Sequence, residues 1–128
     1  MSAVLELAWD DRWMSRIGTT VLGVDDVHRA AAFWRQALGY VPRRGELGPA
    51  DDFVVLVPAN GAGAALALDA SESAVQDVPR VHLDLFTDSA AEQAAEVARL
   101  VSLGAVRVEW DRYPDSPDLV VLADTSHG

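Results

Sequence analysis

The chain contains no cysteine and no lysine. Without cysteine there are no disulfide bonds, no thiolate nucleophile and no cysteine-ligated metal site, which fits the cytoplasmic location that we expect. The chain has ten basic residues, all arginine, and twenty acidic residues, so the formal net charge is −10. Such an acidic surface repels phosphate groups, so we expect neither nucleic acids nor anionic membranes as partners.

Long apolar runs are also missing. No segment approaches the roughly 20 apolar residues that cross a bilayer, and the start of the chain lacks the basic-then-apolar pattern of a secretion signal. Half of the residues are nevertheless hydrophobic, which is too many for a disordered chain. The length of 128 residues predicts one domain that buries a core of its own.

Residues 1–16 stand apart from the rest of the chain. Leu5 and Trp9 would share one face of a helix or of a strand, so periodicity leaves both structures open. We interpret this piece as an N-terminal extension to a domain that covers residues 17–128.

The next stretch predicts a strand and then a helix. Ile17–Val24 is apolar and rich in β-branched residues, and Asp26 is a typical N-cap for a helix over Val27–Leu38. Gly39 suits the left-handed backbone that commonly ends a helix.

Three further strands are predicted in the first half of the chain. Tyr40–Val41 begins the first of them, and Phe53–Val57 and Ala64–Asp69 are separated by a turn that carries Asn60-Gly61. That turn predicts a hairpin. Residues 71–79 are polar and are interpreted as a linker.

The pattern then starts again. Val81–Thr87 alternates as a strand does, so that His82, Asp84 and Phe86 share one face. Ser89 and Glu92 form a capping box for a helix that ends at Gly104. Two more strands are predicted, over Val106–Trp110 and Leu119–Ala123.

This order amounts to an internal repeat of about sixty residues. Thr19 aligns with His82, and the helix end Leu38-Gly39 aligns with Leu103-Gly104. Each unit presents a sheet face that it cannot bury alone, so two units should pair.

The repeat resembles the vicinal oxygen chelate superfamily, which includes glyoxalase I, bleomycin-resistance proteins and extradiol dioxygenases. The resemblance covers residues 17–128 and rests on five motifs: Val24-Asp25-Asp26-Val27, Ala32-Phe33-Trp34-Arg35, Leu38-Gly39-Tyr40, Val81-His82-Leu83-Asp84-Leu85 and Val120-Val121-Leu122-Ala123-Asp124.

The resemblance implies an α+β fold. Two βαβββ modules, over 17–70 and 80–128, would form a curved, cleft-shaped mixed sheet with the helices outside. The last strand of the second module would lie beyond Gly128 and is missing from the chain. Either the sequence is truncated, or Val4–Trp9 supplies that strand in its own subunit or in a partner's. A missing strand exposes backbone amides, so a homodimer is expected.

Enzymes of this superfamily hold a divalent metal in the cleft, and a catalytic metal typically needs three protein ligands. His82 matches one ligand position, whereas Thr19 matches another and is a poor ligand. Ala67, or Asp69 two residues on, falls where a glutamate is usual. His82 is thus a tentative metal ligand in an incomplete set, with Asp84 and Asp69 as possible helpers. The alternatives are a half-buried histidine hydrogen-bonded to a neighbour, a contact for an organic ligand and a general base.

Three functions follow from the resemblance. The first is a binding domain for a small organic molecule in the cleft, with no assigned catalysis. The second is a metal-dependent lyase, isomerase or dioxygenase, and the third is a degenerate domain that acts through dimer contacts. Trp110 is either a core residue or a cavity wall. We expect the ligand to contact six residues: Thr19, Val21, His82, Asp84, Phe86 and Trp110.

Overall fold

The computed structural model describes residues 17–72, 82–108 and 120–124. The helices and strands in these ranges are β1 (Thr19–Val24), α1 (Val27–Leu38), β2 (Tyr40–Pro42), β3 (Phe53–Pro58), β4 (Ala65–Ala70), α2 (Ala90–Ser102), β5 (Val106–Arg107) and β6 (Leu122–Ala123). The fold is therefore of the α+β class, as the sequence predicts.

The first module forms a four-stranded mixed sheet in the order β1-β4-β3-β2. β1 runs parallel to β4, with Thr19 beside Ala65, whereas β3 and β4 form an antiparallel hairpin. The Asn60 side chain accepts a hydrogen bond from the N–H of Ala62 at 3.0 Å, and Gly61 has a φ of 75°. The predicted hairpin and its turn are confirmed.

Helix α1 begins and ends where its sequence predicts. The Asp26 carboxylate accepts a hydrogen bond from the N–H of Arg29 at 3.0 Å, which satisfies one of the unpaired amides of the first turn. Gly39 closes the helix with a φ of 69°, a conformation that residues with a Cβ rarely adopt. Helix α1 is therefore capped at both of its ends.

The core lies between α1 and one face of the sheet. Leu56 and Leu68 are fully buried and mark its centre. Phe33 is buried as well, with its ring edge-on to that of Trp34 at a centroid distance of 5.1 Å. Leu38 is only partly buried, because it lies at the end of the helix.

Helix α2 is capped as predicted but packs more loosely. The Ser89 hydroxyl accepts from the N–H of Glu92 at 3.1 Å, and the Glu92 carboxylate accepts from the N–H of Asp88 at 3.0 Å. Leu100 is the buried residue of this helix. In the part of the chain that the structure describes, no helix is long and apolar enough to cross a membrane.

The second module departs from the predicted strands. Residues 82–87 belong to no strand, and β5 and β6 pair over two residues each, shorter than predicted. A strand forms only where its backbone amides meet a partner strand, and no described strand pairs with residues 82–87. Residues 1–16, most of the linker and the end of the chain lie outside the described residues.

Candidate functional site

The face of the sheet that points away from α1 is uncovered by that helix and is called the open face here. Because strand side chains alternate, every second residue of each strand lies on it, and the register places these residues side by side. The open face consists of Thr19, Val21 and Gly23 of β1, Ala65, Ala67 and Asp69 of β4, Phe53, Val55 and Val57 of β3, and Val41 of β2.

The open face has a low centre and higher sides. Ala65 and Ala67 have short side chains and are nearly inaccessible, so they form a floor along β4. Val21 on one side and Phe53 on the other are 52% and 48% exposed. The accessible apolar surface of the open face is therefore formed by the side chains that stand half in water on either side of the alanines.

The dimensions of this surface follow from strand geometry. From Ala65 to Asp69 the chain advances about 13 Å, and β1 and β3 are separated by about 10 Å across β4. The area suits a small organic molecule rather than a folded partner.

Asp69 supplies a charge at one end of the open face. Its register neighbours are Gly23 on β1 and Phe53 on β3. The carboxylate is exposed and takes part in no hydrogen bond or ion pair with the described residues. Among the side chains that β1, β3 and β4 place on the open face, Asp69 has the one ionisable group.

Two of the predicted site residues, Thr19 and Val21, lie on the open face next to Ala65 and Ala67. Thr19 and Asp69 are at opposite ends of it, so the structure does not bring them together. We find that Phe53 and Val41 belong to the face although the sequence reasoning missed them. The alternation of Phe53, Val55 and Val57 is the signal that could have found them.

The predicted residues of the second module are in a segment without strand pairing. His82, Asp84 and Phe86 are exposed, and Phe86 is 92% exposed. No described strand pairing places them beside Thr19 and Val21. Trp110 lies outside the described residues.

The described residues do not fit the metal that the superfamily resemblance implies. Within the described ranges, no three histidine, aspartate or glutamate side chains are close enough to hold an ion. Thr19 offers a neutral hydroxyl, and Ala67 offers no donor atom where a glutamate is usual. We therefore derive no catalytic step through a metal.

A separate shallow cavity of about 340 Å³ lies between the start of β2 and the turn of the hairpin. The hydroxyl of Tyr40 donates to the carbonyl of Ala64 at 2.9 Å beside it. No charged side chain lines this cavity; its lining residues are Leu38, Gly39, Tyr40, Pro58, Ala59, Asn60 and Ala62. It offers little chemistry and is distinct from the open face.

An ion pair and a hydrogen bond attach the loop between β2 and β3 to helix α1. Arg35 on α1 forms a two-pronged pair with Glu46, at 2.9 and 3.1 Å, in the loop that joins β2 to β3. The hydrogen bonds and charge of Arg35 hold the pKa of Glu46 below its usual range. In the same loop, the carbonyl of Gly48 accepts from His28 at 2.9 Å. The loop is thereby fixed to the helix and kept away from the open face.

Comparison with known proteins agrees with this architecture. The family model described as a glyoxalase-like domain matches residues 19–126. No curated protein matches the chain significantly.

Solved structures with the same fold come from several bacteria. A glyoxalase/bleomycin resistance protein/dioxygenase family enzyme from Burkholderia phytofirmans PsJN is 15% identical with a TM-score of 0.66, over 87% of this chain and 91% of that one. A glyoxalase-related enzyme from Fulvimarina pelagi is 21% identical with a TM-score of 0.59, over 88% and 83%. A possible glyoxalase from Bacillus cereus is 21% identical with a TM-score of 0.57, over 74% and 80%. At these identities the likeness establishes the fold alone.

Proposed function

Since the chain belongs to the glyoxalase-like domain family of the vicinal oxygen chelate superfamily, we propose that it binds a small organic molecule on the open face. No catalysis is assigned to it. The observation that carries this proposal is the pair of half-exposed apolar side chains, Val21 and Phe53, on a sheet face that α1 does not cover. A flat ligand that lies against these two side chains removes their apolar surface from water.

The driving force is the removal of apolar surface from water. At about 25 cal/mol per Å², covering roughly 200 Å² of apolar area stabilises a complex by about 5 kcal/mol before the cost of association is subtracted. A single open face therefore binds a small ligand weakly. A second wall would strengthen binding by enclosing the other side of the ligand.

We propose that a homodimer supplies this second wall. Among the described residues, β1 has a hydrogen-bonded neighbour on one side only. The segment 82–87 carries exposed apolar side chains, Leu85 and Phe86 among them, in the alternating pattern of a strand. Residues 82–87 of one copy would pair with β1 of the other and bring His82, Asp84 and Phe86 towards the ligand. The cytoplasm is the proposed location, in keeping with the absence of cysteine.

A neutral apolar dye tests the binding proposal. We expect N-phenyl-1-naphthylamine to bind with one saturable site per chain, with a fluorescence increase on binding. The substitution Val21→Asp places a charge beside the alanine floor and should weaken binding at least fivefold.

Val101→Asp is the matched control. Val101 lies on α2 and is 45% exposed, close to the exposure of Val21, but it is not on the open face. Saturable binding that is equally strong in wild type and in the Val21 variant would contradict the proposal, as would the absence of saturable binding in the wild type.

A further inference from the structure

We propose that the open face selects flat organic cations, with the apolar rings against Val21 and Phe53 and the positive group at Asp69. This inference rests on the proposed function and specifies the chemical class of its ligand. It is carried by the position of one carboxylate at one end of an otherwise apolar surface.

The first argument is the pairing of Asp69 with Phe53. The two residues are register partners on adjacent antiparallel strands and lie on the same face, which places their Cβ atoms about 5 Å apart. A carboxylate attracts a cation by charge, and the face of an aromatic ring attracts it through the ring quadrupole. Phe53 is half exposed, so a group bound at Asp69 can also contact its ring.

The second argument is that the Asp69 charge is not already neutralised. No described residue forms an ion pair or hydrogen bond with it. On its β1 side the Ser71 side chain lies against Gly23, so a ligand reaches the exposed carboxylate from the side of Phe53. The net charge of −10 adds an attraction for cations and a repulsion for anions.

The third argument is the distribution of charge over the face. The Thr19 and Ala65 end carries no ionisable group, so the ligand should carry its charge at one end. Along the strand order of the described sheet, the nearest basic residue is Arg43, which directly follows β2. Its backbone N–H donates to the carbonyl of Val55 at 2.8 Å. Arg43 lies two strands away from Asp69. The surface of about 13 by 10 Å suits two or three fused rings.

A set of three probes with one ring system isolates the charge. N-methylacridinium is a cation, acridine at mildly alkaline pH is neutral, and acridine-9-carboxylate is an anion. An exposed ion pair and a cation–π contact together predict that the cation binds about 5- to 30-fold more tightly than the neutral probe. We expect the anion to bind most weakly, as measured by fluorescence titration.

Asp69→Asn is the decisive variant, and Asp52→Asn is its control, because Asp52 is an exposed carboxylate just outside β3. The Asp69 variant should lose the preference for the cation to within about twofold while it keeps the affinity for acridine. The Asp52 variant should keep the preference. A circular dichroism melt verifies that both variants are folded.

Three results would overturn this inference. One is a cation preference that survives in the Asp69 variant. Another is tightest binding of the anion, lost in Arg43→Gln. The third is displacement of N-methylacridinium by Ni²⁺ or Zn²⁺ only when Asp69 is present, which would assign the carboxylate to a metal.

The same titrations separate the two proposals. If acridine binds the wild type and not the Val21→Asp variant, with no preference for the cation, the binding function holds and the choice of ligand class is wrong. If none of the three probes binds while N-phenyl-1-naphthylamine does, the choice of ligand class is wrong; if N-phenyl-1-naphthylamine does not bind either, both proposals are wrong.

Discussion

At the scale of single residues, Arg99 makes the most informative contacts outside the open face. Its guanidinium donates to the carbonyl of Gln36 at 2.9 Å and to that of Ala37 at 2.7 Å, and it pairs with Glu96 at 2.9 Å. The last carbonyls of a helix have no partner within the helix, and a cation near them is favourable. Arg99 thus attaches the second helix to the end of the first.

We predict that Arg99→Ala lowers the free energy of unfolding by about 1–2 kcal/mol, because two carbonyls lose a charged donor in a half-exposed position. Urea denaturation measures the change. Arg107→Ala is the control, since Arg107 is exposed on β5, and its effect should stay within about 0.5 kcal/mol. Equal losses in the two variants would show that the contacts of Arg99 do not contribute to stability.

At the scale of elements, the loop between β2 and β3 depends on α1 for its position. The pair of Arg35 with Glu46 and the hydrogen bond of His28 to Gly48 are its two attachments. The lowered pKa of Glu46 means that the folded state favours the charged carboxylate. The stabilisation is complete above the ordinary glutamate pKa of 4.5 and is lost as the pH falls below it, towards the lower pKa of the folded state.

Glu46→Gln tests this assignment through the pH dependence of the melting temperature. We expect the variant to melt at a lower temperature than the wild type at pH 7, by a small amount because Glu46 is exposed. The difference should shrink as the pH falls from about 5 to 3, since protonation removes the charge from the wild type too. Glu72→Gln, at an exposed position, is the control and should show no such convergence. A constant difference at all pH values would refute the role of the ion pair.

The elements also show what the sequence can predict. Helix α1 was predictable because Asp26 and Gly39 mark its ends by local chemistry, and the Asn60-Gly61 turn does the same for the hairpin. The predicted strand over 81–87 is not formed in the described part of the chain. Alternation tells which faces a strand would present, but not whether a partner strand is available to it.

The candidate site was predictable to a similar degree. The positions of Thr19 and Val21 on an accessible sheet face follow from alternation alone. The pairing of Asp69 with Phe53 does not follow from alternation, because it depends on the register of the hairpin. A shift of one residue would send one of them into the core. Only the pairing itself establishes that a carboxylate and an aromatic ring are neighbours.

At the scale of the whole molecule, two exposed features complement each other. β1 is an edge strand of the described sheet. Residues 82–87 have the alternating sequence of a strand but pair with no described strand. Exposed edges are sites at which another chain can add a strand. The proposed homodimer would use both features at once.

Light scattering after size exclusion tests the dimer. We expect a mass of twice the 13.7 kDa of one chain at micromolar concentration. Phe86→Ser should weaken the dimer at least tenfold, because Phe86 would be buried against the partner. Val101→Asp, on the outside of α2, should leave the dimer intact. A monomeric wild type, or a Phe86 variant with unchanged association, would contradict the proposed pairing.

The parallel pairing of β1 with β4 also has a consequence for how the chain folds. β1 comes first in the sequence, but its partner follows only after α1, β2 and β3. The helix and the hairpin close short loops, whereas docking β1 closes the longest loop of the module and bears the largest entropy cost. The topology therefore favours an order in which α1 and the β3–β4 hairpin form early and β1 joins late. The strand that carries Thr19 and Val21 is then the last to enter the sheet. By the same energetics it is the first to leave, so the binding face unfolds before the core does.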